Sequence, residues 1–114
     1  MKNSFLIILL ILCTACLKKD TEIPDGVLSK DQMVSVLIDV HLLEAKLKKL
    51  YLEKDSARKV YDHYEKLIFL KQGIDAETYE KSMEFYVEEI EEMKEIYNQV
   101  VDSLLARQKT MNFD

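Results

Sequence analysis

Glycine, proline and cysteine are all scarce in this 114-residue chain, at two, one and two residues. With only Gly26 and Gly73, no glycine-rich loop can cradle a phosphate. Ser29, Ser35, Ser56, Ser82 and Ser103 all lie outside any Gly-x-Ser-x-Gly elbow, so the usual nucleophile turn is missing. Cys13 and Cys16 both lie close to the N-terminus, and no disulfide framework can staple the remainder of the chain. Pro24 is the single proline, and no stretch alternates apolar and polar residues with period two, which argues against strands. No apolar run reaches the roughly 20 residues that a membrane-spanning helix needs. Cations are the minority charge, 16 against 21 acids, for a net charge of −5. That excess disfavours nucleic acid and electrostatic docking on anionic lipid.

What is present begins with a short leader. Met1-Lys2-Asn3 is a positive start, residues 5–12 are apolar, and Thr14-Ala15 are small. This is the three-part pattern of a secretory signal. The cysteine directly after the small residues makes Leu12-Cys13-Thr14-Ala15-Cys16 read as a lipoprotein cleavage site. It predicts a signal peptide over residues 1–15 and lipidation, with palmitate among the acyl chains, at Cys16. Two or more acyl chains hold a protein firmly on a membrane. Residues 16–27 read as a flexible tether with turn chemistry at Pro24-Asp25-Gly26. The Lys19-Asp20-Thr21-Glu22 stretch resembles signals that send some lipoproteins to the outer surface. The expected location is therefore the outer membrane, on its periplasmic side or at the cell surface.

The rest is helix-permissive, and the expected fold is all-α. It is a small antiparallel bundle of three helices over residues 28–108, or four if the last is broken near Val87, with residues 109–114 as a frayed tail. Ser29 and Gln32 form a capping box. Met33, Val36, Leu37, Val40, Leu43 and Leu47 give the first helix one apolar stripe. Val34, Ile38 and Leu42 widen it, as in a helix covered on more than one side. A second helix, capped by Asp55 or Ser56, carries Val60, Tyr61, Tyr64, Leu67, Ile68 and Leu70. Gly73 ends it in a left-handed conformation and Asp75 caps the next. Tyr79, Met83, Tyr86, Ile90, Met93, Tyr97, Val100 and Leu104 come next, at alternating spacings of four and three. This is a heptad seam, favouring one continuous helix over 76–107, roughly 48 Å long.

The ordered set Ile23-Pro24, Leu28-Ser29-Lys30-Asp31-Gln32-Met33, Asp39-Val40-His41-Leu42-Leu43-Glu44-Ala45, Gly73-Ile74-Asp75 with Tyr79, Ser82 and Tyr86, and Ile96-Tyr97-Asn98-Gln99-Val100 resembles a family of small Gram-negative lipoproteins. That family is numbered 4296 among the domains of unknown function. The resemblance implies an envelope location and a helical fold, and brings no activity. This chain has Gln72 where relatives often have His before the glycine, and acids where they often have a proline beyond Tyr86.

One polar constellation stands out: Asp39, His41 and Glu44. His41 and Glu44, three apart, share a helix face and could take a ligand or metal if His63 joined them from the second helix. Asp39 points about 160° away from His41. Two ligands make no metal site, so the more economical expectation is no metal and no cofactor. On it, Asp39 and Glu44 are surface or interhelical partners, with His41 at the core's edge. Tyr51, Tyr61, Tyr64, Tyr79, Tyr86 and Tyr97, with Met33, Met83 and Met93, are expected mainly as core, with a share left for an interface. The chain therefore reads as a non-catalytic, lipid-anchored interaction or accessory module. Its expected partners are the membrane, through Cys16, and a protein; homo-oligomerisation through the seam stays open. The rival reading is a metal- or small-ligand-binding lipoprotein built on His41.

Overall fold

The computed structural model describes residues 21–111. The expected signal peptide, Cys16 and the first part of the expected tether lie outside the described residues. Among those described, four helices and no strand are found: α1 Lys30–Lys49, α2 Lys54–Gln72, α3 Ala76–Glu88 and α4 Ile90–Met111. The protein is an all-α bundle.

α1 is its axis. The Ser29 hydroxyl accepts from the Gln32 N–H, and the Gln32 side chain accepts from the Ser29 N–H, closing the expected capping box. Met33, Val34, Val36, Leu37, Ile38, Val40 and Leu43 are all buried. No single stripe could hold seven such positions. They point in several directions because α2 packs on one side of α1 and α4 on another.

α2 starts earlier than its side chains suggest. The cap is Glu53, not Asp55 or Ser56, and it makes no side-chain capping bond. The connection from α1 is only residues 50–53, with Tyr51 turned into left-handed backbone at φ 48°. That tight reversal delivers the chain into helix before either better capping residue is reached. The other end obeys the local code: Gly73 lies at φ 68°, and the Ile74 N–H donates to the Phe69 carbonyl. The next cap is Asp75, whose carboxylate accepts from the Thr78 N–H at 2.7 Å and is held below its ordinary pKa by that bond. The stripe of α2 is a correction. Phe69, absent from the expected stripe, is its one buried residue, while Tyr64, Leu67 and Leu70 are exposed.

The continuous helix favoured over 76–107 is divided at Glu89, whose ψ of 76° leaves the helical region. No proline or glycine causes the break. Glu88, Glu89, Glu91 and Glu92 crowd five positions, and carboxylates destabilise a helix C-terminus while stabilising an N-terminus. Dividing the helix turns Glu91 and Glu92 into first-turn residues of α4. It also resets the phase of the seam. Tyr86 and Val100 are buried as expected, but Ile90 is 73% exposed and Ile96 takes the core position. α4 then runs to Met111, through the first three residues of the tail expected to fray.

Candidate functional site

Three groups of polar side chains hold the bundle together. The first straps the entering chain to α3. The Leu28 N–H donates to the Ser82 hydroxyl at 2.8 Å, and the Tyr86 hydroxyl donates to the Leu28 carbonyl at 2.7 Å. Ser82 and Tyr86 lie one turn apart on α3, and both are fully buried. Ser82 in turn donates to the Thr78 carbonyl. An extended residue with no helical partners is thus satisfied on both sides. The sequence placed Tyr86 in the seam and marked Ser82 only through the family resemblance, with no bonding role for it. The available signal was a small hydroxyl residue four places before a tyrosine.

The second group joins the helix starts. Lys30 Nζ lies 2.6 Å from Glu92 and 3.0 Å from Glu95, so the N-termini of α1 and α4 sit together. Hydrogen bonds to these two carboxylates push the Lys30 pKa upward.

The third group contains the residues singled out in the sequence, and the structure separates them. Asp39 faces α2, where its carboxylate accepts from Lys71 and Gln72, both at 2.9 Å. Ser35 donates to the Gln72 amide oxygen, so Gln72 is held from both sides. Burial raises the Asp39 pKa and is the largest single influence, but the bonds from Lys71 and Gln72 together outweigh it and the net shift is downward. His41 lies on the other flank of α1. Its Nδ1 is 3.2 Å from Glu44, and its ring centroid is 6.0 Å from that of Tyr97. His63 packs edge-on against Tyr64 on its own helix. Among the described residues no group of three His, Cys, Asp or Glu side chains is placed to hold a metal ion. Asp39 is an interhelical partner and His41 an edge-of-core ring.

Near Glu44, the Tyr61 hydroxyl donates to Glu65 at 3.1 Å. Burial, then the charge of Glu65, pushes the Tyr79 hydroxyl up to about 12, and Tyr61 is raised by the same two influences. Both are protonated phenols rather than bases at neutral pH.

An aliphatic concavity lies between α1 and α2. It is a trough of about 430 Å³ walled by Leu42, Leu43, Leu47, Leu50, Val60, Leu67 and Ile68, with Tyr64, Lys46 and Lys71 at its edge and Asp39 at one end. The sequence could not indicate it, because Tyr64 and Leu67 read as core. No helix among the described residues is long and apolar enough to cross a membrane.

No curated protein and no solved structure matches the chain. Residues 24–110 match the family described as Domain of unknown function (DUF4296). That match takes in all of the buried core and the strap on Leu28, and the chain belongs to this family.

Proposed function

We propose that this protein is a lipid-anchored cell-envelope module with no catalytic role, acting as an accessory or adaptor to another envelope protein. One observation carries the non-catalytic part. The polar groups that an enzyme would hold ready are here spent on structure: Ser82 and Tyr86 on Leu28, Asp39 on Lys71 and Gln72, Lys30 on Glu92 and Glu95. Among the described residues every buried side-chain nitrogen and oxygen has a partner. The anchor rests on Ala15-Cys16 at the end of the apolar leader. An interaction role is supported by apolar surface that folding leaves uncovered on α4, where Ile90, Val101 and Leu105 are each at least half exposed.

The test is metabolic labelling with an alkynyl palmitate, then membrane fractionation and crosslinked affinity capture of the full-length protein beside a Cys16→Ala variant. Label and outer-membrane sedimentation are expected only with Cys16 present, along with a captured envelope protein that the variant loses. An unlabelled, freely soluble wild-type protein would refute the anchor. Capture that is identical for both forms would refute a membrane-dependent role.

A further inference from the structure

The trough between α1 and α2 has the dimensions and the charge of a ligand site, and we infer that it binds a long-chain fatty acid. It runs from Asp39 on α1 to Leu50 at that helix's C-cap, and on α2 from Val60 to Lys71. Each span covers twelve residues, eleven steps of 1.5 Å or roughly 17 Å. Lys46 and Tyr64 each lie seven residues, about 10 Å, from the Asp39–Lys71 end, so a carboxylate at Lys46 directs its acyl chain along Leu42, Leu43, Leu67 and Ile68 towards that end. The volume of about 430 Å³ falls within the roughly 300–1,000 Å³ of small-molecule pockets. The walls are aliphatic, and Leu50 and Leu67 are 57% and 45% exposed, with nothing among the described residues over them. At about 25 cal/mol per Å², apolar surface of this kind favours an apolar occupant.

The charge at the edge selects the head group. The protein as a whole is acidic, yet the trough carries two lysines and one aspartate. Asp39 is already engaged by Lys71 and Gln72. Lys46 has no ion-pair or hydrogen-bond partner among the described residues, and neither has the Tyr64 hydroxyl. An ammonium and a phenol beside an aliphatic trough suit a carboxylate, which accepts hydrogen bonds and carries one negative charge. A zwitterionic head group would bring a second cation to Lys46 and lose that advantage. This inference goes beyond the anchored-module reading and stands whether or not Cys16 carries lipid.

Full-length protein in phosphatidylcholine vesicles, irradiated with a diazirine-bearing tetradecanoate, tests it. Mass spectrometry of the digest should place adducts on α1 and α2 around Leu42, Leu43, Leu67 and Ile68. Unlabelled tetradecanoate should compete, and tetradecanol should compete poorly. Leu67→Glu changes an exposed residue and should retain the helical circular dichroism while abolishing trough adducts. Lys46→Gln should lower capture about fivefold, the scale of one charge-assisted hydrogen bond at a solvated edge. Adducts scattered over the surface, or trough adducts untouched by Leu67→Glu, would overturn the proposal. So would equal competition by the alcohol. If chemical crosslinking instead joins two copies through Leu50 and Leu67 and no fatty-acid adduct forms, the trough belongs to a second copy and the inference fails.

Discussion

α1 and α2 are of nearly equal length, 20 and 19 residues, and lie against each other, yet they are used in opposite ways. α1 buries seven side chains and α2 buries only Phe69. The difference lies in how many neighbours each helix has. α1 is flanked by α2 and α4, so almost every apolar residue it carries finds cover. α2 has a well-segregated apolar face but packs along its length only on α1, with Tyr79 of α3 touching it at Phe69, so Tyr64, Leu67 and Leu70 stay exposed. Amphipathic pattern shows which face can be buried; the count of packing partners decides how much of it is.

The largest expected effect breaks the wrapped helix. Met33→Ala, at a site with no solvent exposure, should cost about 2–5 kcal/mol in urea denaturation. Leu70→Ala, at a site 76% exposed, should change stability by no more than about 0.5 kcal/mol. Similar losses at both sites would erase the contrast.

Next comes the strap that leads into α1. Tyr86→Phe keeps the ring but leaves the buried Leu28 carbonyl without its donor, for a loss of about 1–2 kcal/mol. Ser82→Ala removes the partner of the Leu28 N–H. The double variant should lose less than the sum of the two, because both bonds hold one residue.

The α1–α2 contact itself is sharpened by pH. Asp39→Ala should cost about 1 kcal/mol near neutrality, since the carboxylate is only 15% exposed and accepts two hydrogen bonds. The folded-state pKa of Asp39 lies below its ordinary 3.8. Its contribution is therefore complete above that value and is lost as the pH falls through the lowered one. The wild-type and variant stabilities should converge on acidification. A gap that widens in acid would contradict the pairing.

The smallest effect concerns the loop between the two helices. Tyr51 holds a left-handed φ of 48° with its side chain 95% exposed, so the strain is offset by no burial. Tyr51→Gly should stabilise the protein by about 0.5–1 kcal/mol, read as a raised thermal midpoint.

The features legible in the sequence are those fixed by a few adjacent residues. The Ser29–Gln32 box, the Gly73 stop and the Asp75 cap depend on local hydrogen bonds and local φ, and all three stand where the residues put them. The wide apolar surface of α1 was legible too, because Val34, Ile38 and Leu42 overflow any single stripe. What escaped depends on distant partners. Phe69 is buried because Tyr79 from α3 lies 5.1 Å from its ring, which no spacing within α2 reveals. Ile90 fits a heptad perfectly well, but Glu89 breaks the helix just before it and turns it outward. Asp39 and His41 sit two residues apart and face different helices, so their nearness in sequence carried no shared site. The trough lies where no second helix covers the α1–α2 seam among the described residues, and only the assembled helices display it.

The contrast between the two helices is tested most directly by native-state amide hydrogen exchange along α1 and α2. If α1 is the wrapped element, amides of residues 34–43 exchange only through global unfolding, while those of residues 57–67 open at lower free energy and faster than the core. Equal protection in both helices would contradict this. It would mean that the open face of α2 is covered in solution and that the trough is not free.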